Sequence, residues 1–245
     1  MEALGDQVRE VIAAMATIPN RLKTLEESVR SLLPQVDRLC VYLNGHTEIP
    51  SFLKMPKVEI VTSRDHGDHS DAGKFWWSNK VHGYYLSTDD DLIYPPNYVE
   101  TLIGKIELYH RKVAVGVCGN LIRLPFKSYL FDKVGISFHT SNSKDQQVHI
   151  LGTGTTAFHM DTIELNPLDF KGPGMADIWF AIAAQKQSVP LVCIAHPKDW
   201  LVMSCPMQRD SLWATRRHYM QKIDHAILQN MPWQLPAMNF HVLPK

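Results

Sequence analysis

The sequence predicts an α/β fold, in which a central, mostly parallel but mixed sheet is flanked by helices. Short apolar runs alternate with helical patterns over about the first 120 residues, an alternation typical of parallel sheets. Turn residues such as Asn44-Gly45 end these apolar runs. The 245 residues, of which 45% are hydrophobic, suffice for one sizeable core, so a single domain spanning 1–245 is predicted.

The first half of the chain supplies most of the regular elements. An apolar run from Val8 to Ala16 predicts the first strand, and a helix with apolar residues at helical spacing follows until Pro34 ends it. Further strands are predicted at 39–43, 58–61, 83–87 and 113–118, and a helix at 96–109. The carboxyl ends of such strands share one edge of the sheet, where ligands bind.

The second half of the chain is less regular. Its polar stretch at 127–147 predicts a mobile or substrate-facing loop, and 149–160 predicts a strand, a glycine turn and a second strand. A helix at 175–187 and a strand at 191–195 follow. An amphipathic helix begins at Asp210 and gives way to a proline-rich coil.

Composition excludes several classes of protein. Twenty-five basic residues balance 25 acidic ones, so no basic field favours nucleic-acid binding. The acidic, interrupted N-terminus does not predict a signal peptide, and no apolar run approaches the ~20 residues that span a bilayer. The four cysteines lack CxxC spacing and lie mostly in apolar runs, which predicts buried thiols in a reducing, cytoplasmic location.

One segment, GYYLSTDDDLIYPP from Gly83 to Pro96, is the most informative. It carries an apolar strand directly into Asp89, Asp90 and Asp91. Carboxylate oxygens suit Mn²⁺ or Mg²⁺, and Mg²⁺ is often held by only one or two carboxylates plus substrate phosphates. The segment therefore predicts a metal–diphosphate site; the alternative is a solvated acidic turn.

The loop after the first strand is a second candidate. Thr17 and Arg21 offer a hydroxyl and a guanidinium to a base or diphosphate. The alternative is a helix N-cap followed by a solvated arginine. Neither GxxxxGK[ST] nor GxGxxG occurs, so the loop is neither a P-loop nor a dinucleotide-binding glycine motif.

The segment RDHGDHSDAGK, from Arg64 to Lys74, follows the third predicted strand. Its Lys74 is suited to offset phosphate charge, while Asp71 is suited to accept a hydrogen bond from a base. His66 and His69 lack the spacing of a metal site and predict an exposed polar loop.

Three candidates lie in the second half of the chain. Gly152, Thr153 and Gly154 allow close backbone approach to a ligand, the alternative being a hairpin turn. Asp177 lies in the first turn of a helix, as a functional carboxylate or as a capping acid. His196 follows a late strand. It is interpreted either as a third metal ligand or as an ordinary loop histidine.

In this order the motifs resemble the GT-A fold glycosyltransferases that use nucleotide-sugar donors. The chain is most similar to the bacterial capsule enzymes that add α-linked N-acetylglucosamine in heparosan (K5-type) polymer synthesis. The similarity covers about residues 10 to 215, and TDDDLIYPPNYVE is its most specific block. The supporting residues are Gln35-Val36-Asp37, Asp71 to Phe75, LGTGT from Leu151, Lys198 to Leu201, and Leu212-Trp213.

The resemblance implies a Rossmann-like GT-A domain, a UDP-sugar donor and Mn²⁺ or Mg²⁺. It implies a nucleotide-binding half at 1–120, a sugar and acceptor half at 121–209, and a C-terminal helix and tail at 210–245. It also implies roles for individual residues. Asp91 would bind the metal, and Asp89 would bind the ribose or the metal. Lys74 would face the diphosphate or donor sugar, and Asp177 would lie near the acceptor hydroxyl. The uridine would be held by Thr17, Arg21, Asn44 and Asp71.

The expected partners are a glycan or lipid-linked acceptor and other polysaccharide-synthesis proteins. The helix at 213–227 predicts peripheral association with the inner face of a membrane, or an edge helix packed on the core. The sequence differs from the capsule enzymes at 64–70, at Trp76-Trp77, at 127–147 and at His196, which leaves the donor sugar and acceptor open. The alternative functions are a sugar nucleotidyltransferase and a non-catalytic nucleotide-sugar-binding module.

Overall fold

The computed structural model describes residues 10–205 and 219–238. In that part of the chain the helices are α1 (Leu22–Leu32), α2 (Ser63–His66), α3 (Tyr98–Leu108), α4 (Ala176–Lys186) and α5 (Met220–Gln229). The strands are β1 (Val11–Thr17), β2 (Arg38–Leu43), β3 (Val58–Thr62), β4 (Tyr84–Thr88), β5 (Leu92–Ile93), β6 (Ala114–Gly116), β7 (Gly119–Ile122), β8 (Lys133–Ile136), β9 (Gln146–Val148), β10 (Ile150–Leu151), β11 (Thr155–His159), β12 (Leu191–Cys193) and β13 (Val202–Met203).

A central eight-stranded sheet has the order β3-β2-β1-β4-β11-β6-β12-β9. The first four of these strands are parallel. Strand β11 lies antiparallel between β4 and β6, β12 is parallel to β6, and β9 closes the edge antiparallel to β12. The predicted α/β class with a mostly parallel, mixed sheet is thereby confirmed, and both halves of the chain contribute to one sheet.

Apolar side chains on the two faces of this sheet form two cores. Side chains alternate between faces along a strand, so β1 sends Ile12 and Ala14 to one core and Ala13 and Met15 to the other. Helices α1 and α3 cover the second core, with Leu25, Val29, Leu32, Leu102 and Ile106 buried in it. Helices α4 and α5 cover the first, with Phe180, Ile182, Ile223, Ala226 and Ile227.

Two smaller sheets stand at the carboxyl edge and beside it. Strand β7 pairs antiparallel with both β10 and β8, and β13 pairs with β5 directly after the Asp triplet. The prediction of a continuous loop at 127–147 is therefore wrong, because β8 and the start of β9 lie within it. Their sequences, KVGI and QQV, are too short and polar to carry an apolar strand pattern.

The two strands predicted within 149–160 are confirmed, but they do not form a hairpin. Strand β10 pairs with β7, whereas β11 pairs with β4 and β6, so the glycine turn carries the chain from one sheet to another. The alternative of a simple hairpin turn is wrong. The glycine turn consequently lies beside the end of β4, where the Asp triplet begins.

Helix α5 packs its apolar side onto the core. Its Ile223, Ala226 and Ile227 are buried, as expected for an edge helix, so they are not available to a membrane. The first part of the predicted C-terminal helix, at 210–218, lies outside the described residues. Within 10–205 and 219–238, no helix combines the length and apolarity needed to cross a bilayer.

Candidate functional site

The carboxyl ends of the first parallel strands converge at one edge of the sheet. Register pairs Thr17 with Leu43 and Met15 with Thr88, so the residues that follow β1, β2 and β4 are neighbours. Arg21, Asn44 and Asp89 to Asp91 are thereby collected at the edge where open α/β sheets bind ligands.

Asp90 forms a buried ion pair with Arg21. Its carboxylate is 1% exposed and accepts a hydrogen bond from Arg21 Nη1 at 2.6 Å, while Asp91 lies 3.6 Å from the same nitrogen. Burial raises the pKa of Asp90, and the Arg21 charge and the Thr17 hydroxyl oppose that shift. The segment is not a solvated acidic turn, and Arg21 is not a solvated arginine after an N-cap.

Lys74 forms a second ion pair, with Asp89. The lysine is only 3% exposed, and its ammonium donates to Asp89 Oδ1. Burial opposes the charge, but the Asp89 carboxylate outweighs it and raises the pKa of Lys74. Tyr85 donates to the Lys74 carbonyl at 2.6 Å and fixes the turn that carries it. The Lys74 ammonium is therefore held at Asp89, the carboxylate for which the resemblance implies contact with the ribose or the metal.

The glycine turn packs directly against the Asp triplet. A Cβ on Gly154 would lie 2.0 Å from Asp89 Oδ2, so only glycine allows this approach. Ser87 donates to the Thr153 carbonyl at 2.6 Å and joins the turn to the end of β4. At Gly152, a Cβ would lie 2.5 Å from Cys118 Sγ. The turn thus makes a close approach to Asp89, while ligand contacts by the turn itself remain a prediction.

Tyr94 is a site residue that the sequence reasoning missed. Its buried hydroxyl accepts from the Asp89 backbone N–H at 2.8 Å and donates to the Gly154 carbonyl at 2.9 Å. It therefore ties the Asp triplet to the glycine turn. The only sequence signal was an aromatic residue within the TDDDLIYPPNYVE block.

Thr153 connects the glycine turn to Asp177. Its backbone N–H and hydroxyl both donate to Asp177 Oδ1, at 2.8 and 2.5 Å. Burial raises the pKa of Asp177, although the Thr153 hydrogen bonds and the Lys74 charge oppose the shift. Asp177 is therefore not a simple capping acid, because its hydrogen bonds lead away from its own helix.

The cap of α4 is supplied by Asp71. Its two carboxylate oxygens accept from the backbone N–H groups of Gly174 at 2.7 Å and Ala176 at 3.0 Å. A carboxylate at a helix N-terminus satisfies free N–H groups and complements the helix dipole. Asp71 thus links the turn that carries Lys74 to the helix that carries Asp177. The contact between Asp71 and uridine remains a prediction.

The Asn44 side chain also makes hydrogen bonds within the protein. Its side chain donates to the Ser70 carbonyl at 2.9 Å and accepts from the His69 N–H at 3.2 Å. The same loop contacts an aromatic side chain, because the rings of His66 and His69 lie 4.7 and 5.3 Å from that of Trp76. Asn44 therefore holds the loop beside the site.

The described residues contain no cluster of three histidine, cysteine, aspartate or glutamate side chains arranged to hold a metal. His196 is buried, its Nδ1 lies 2.9 Å from the Pro197 carbonyl and its ring stacks on Trp200, so it is not grouped with Asp89 and Asp91. Burial and the neighbouring Asp89 and Asp90 raise the pKa of Asp91 to about 7. A metal held by Asp89 and Asp91 remains a prediction, and it would require a cation that takes most of its oxygen ligands from a diphosphate and water.

Comparisons of the whole sequence with protein-family models and with curated proteins found no match.

Proposed function

We propose that this chain is a metal-dependent glycosyltransferase that moves a sugar, N-acetylglucosamine, from a UDP-sugar to a glycan acceptor in bacterial surface-polysaccharide synthesis, with retention of anomeric configuration. The single observation that carries the proposal is that three carboxylates, Asp89, Asp91 and Asp177, are brought to the same carboxyl edge of the sheet. Asp91 and Asp89 follow β4, Lys74 pairs with Asp89, and Thr153 links Asp177 to the same turn.

The charges at this edge suit a diphosphate that becomes more negative as it leaves. Arg21 and Lys74 are cations held in low-dielectric surroundings, where charge stabilisation is strong. Asp89 and Asp91 would hold Mn²⁺ or Mg²⁺, which when bound offsets the charge of the diphosphate. The Asp89 side chain is 42% exposed, so a ligand can reach it.

The proposed transfer breaks the bond between the anomeric carbon and the diphosphate oxygen. A bond forms between that carbon and the acceptor hydroxyl oxygen, and the hydroxyl proton passes to the departing diphosphate. Asp177 positions the acceptor hydroxyl, because its orientation is fixed by two hydrogen bonds from Thr153.

The test is hydrolysis of a panel of nucleotide-sugars with Mn²⁺ or with EDTA. We expect slow release of UDP from one UDP-sugar, dependent on the metal and lost in Asp91→Asn. Asp161→Asn, which changes a carboxylate that is 80% exposed, is the matched control and should hydrolyse the donor normally. Absence of turnover across the panel, together with absence of UDP binding by calorimetry, would contradict the proposal.

A further inference from the structure

The tip of the β7–β8 hairpin exposes two large apolar side chains. Leu124 is 76% exposed and Phe131 is 77% exposed, both in the connection between β7 and β8. Burial of apolar area is the main favourable term in association, so side chains held this far into solvent point to a surface that binds something. We call residues 123–133 the hairpin tip.

Hydrogen bonds hold the hairpin tip in one shape. The Asp132 carboxylate accepts from the backbone N–H groups of Lys127 at 2.7 Å and Ser128 at 2.9 Å. Arg123 N–H donates to the Asp132 carbonyl at 2.9 Å and closes the loop at the end of the strand pair. The apolar side chains are therefore presented by an ordered turn.

Tyr129 anchors the hairpin tip in the body of the protein. It is 8% exposed, its hydroxyl accepts from Asn120 at 2.9 Å, and its backbone N–H donates to Asp224 of α5 at 2.6 Å. Leu124 and Phe131 are consequently left outside while the residue between them is buried. Two large apolar side chains therefore protrude into solvent from a turn that is fixed to the body of the protein.

The charge of the hairpin tip indicates which partner. It carries Arg123, Lys127 and Lys133, against one carboxylate, Asp132, which is already engaged by backbone N–H groups. Arg123 and Lys127 are exposed, and Lys133 lies over the Tyr129 ring at 3.8 Å. Apolar side chains flanked by basic ones match the boundary between acyl chains and anionic headgroups.

We propose that the hairpin tip docks on an anionic lipid surface, with Leu124 and Phe131 entering the acyl boundary and Arg123 and Lys127 facing the headgroups. This site is distinct from the buried face of α5, where Ile223, Ala226 and Ile227 pack into the core. The proposal does not depend on the transfer reaction proposed above, because it stands on the exposure and charge of the hairpin tip.

The test is co-sedimentation of the full chain with vesicles of phosphatidylcholine alone or mixed with phosphatidylglycerol. We expect binding to the mixed vesicles only. The double variant Leu124→Ser/Phe131→Ser should lower the partition coefficient by about tenfold, because it removes the side chains that insert. Leu168→Ser is the matched control, since Leu168 is 70% exposed and lies outside the hairpin tip, and it should bind as the original chain does.

The charge contribution is tested with Arg123→Gln/Lys127→Gln, for which we expect weaker binding to the mixed vesicles. Lys54→Gln changes an exposed lysine elsewhere and should leave binding unaltered. Absence of binding to anionic vesicles, or binding that the hairpin variants leave unchanged, would overturn the proposal. So would sedimentation of a dimer that the Leu124→Ser/Phe131→Ser change dissociates, because a second copy would then be the partner. Unchanged circular dichroism establishes that each variant is folded.

Discussion

Single residues at this site are defined by the ion pairs that balance their charges. Asp90 and Asp89 each have a cation, Arg21 and Lys74, whereas Asp91 lies 3.6 Å from an arginine that bonds Asp90 more closely. The pKa of Asp91 is accordingly raised to about 7 by burial and by the two neighbouring carboxylates. In the metal-free protein, Asp91 shares the positive charge of Arg21 with Asp90. A bound cation would give Asp91 a positive charge of its own.

Asp91→Asn should remove metal binding without damage to the fold. The amide has nearly the shape of the protonated carboxyl group, which burial already favours. We expect Mn²⁺ at about 100 times its Kd to stabilise the original chain by about 2.7 kcal/mol and to leave the variant unchanged. Thermal unfolding with Mn²⁺ and with EDTA measures the stabilisation of both proteins. An equal shift of the unfolding temperature in the two proteins would show that Asp91 is not a metal ligand.

The contribution of Asp91 to the stability of the metal-free protein should fall as the pH rises. The pKa of Asp91 is about 7 in the folded protein and about 3.9 in the unfolded chain, so the folded state binds the proton more tightly. The stability contributed by Asp91 is complete below about pH 4 and is lost as the pH rises through about 7.

Urea unfolding in EDTA at a series of pH values tests this pH dependence. Relative to Asp91→Asn, the original chain should lose up to about 1.4 kcal/mol per pH unit between these two pKa values. Mn²⁺ should stabilise increasingly over the same range, because a metal ligand must be deprotonated. Parallel curves for the two proteins in EDTA would show that Asp91 does not titrate as described.

At the scale of elements, the glycine turn holds the two halves of the site together. It follows β10 and precedes β11, and its carbonyls accept from Ser87 and Tyr94 while Thr153 donates to Asp177. Two carboxylates from distant parts of the sequence are therefore fixed relative to each other by one short turn.

Gly154→Ala should displace Asp89, since the added Cβ would lie 2.0 Å from Asp89 Oδ2. We expect a loss of about 1–3 kcal/mol in stability from this overpacking, together with weaker Mn²⁺ binding. Gly104→Ala is the matched control, because a methyl group added at this position inside α3 would have no atom within 4 Å beyond its chain neighbours and its own helix backbone. It should stabilise by about 0.5–1 kcal/mol in urea unfolding, whereas equal effects of the two changes would contradict the close packing of Gly154.

Asp71→Ala should destabilise the protein by about 1–2 kcal/mol, because the N-terminus of α4 loses the acceptor of two backbone hydrogen bonds. Urea unfolding measures the loss, and Asp161→Ala, at an exposed carboxylate, should have no comparable effect. UDP titration of the same variant separates the two roles of Asp71. A lowered UDP affinity with unchanged stability would favour a base contact over the cap.

At the scale of the whole molecule, sheet order decides which predicted residues meet. Strand β11 comes from the second half of the chain but lies between β4 and β6, so the glycine turn reaches the Asp triplet. Helix α4 is brought to the same edge through Asp71, which lies 103 residues before Gly174. Residues from 1–120 and from 121–209 therefore meet at one sheet edge.

The sequence predicted the local elements well and their partners poorly. The strand ahead of Asp89 was evident from its apolar run, and the helix observed at 22–32 from its apolar spacing, while the helix predicted at 175–187 is observed at 176–186. The short strands β8 and β9 were missed because pairing with neighbours, rather than apolar pattern, forms them. The role of Asp71 was missed because its partners are distant in sequence.

By itself the sequence determined the α/β class, the alternation of elements and the placing of an Asp triplet at the end of a strand, because periodicity and turn residues act over a few neighbours. Only the tertiary structure decided that Arg21 pairs with Asp90, Lys74 with Asp89, Thr153 with Asp177 and Asp71 with α4. These partners are set by strand order and by burial, which make unpaired charges costly and so select contacts between segments far apart in the chain.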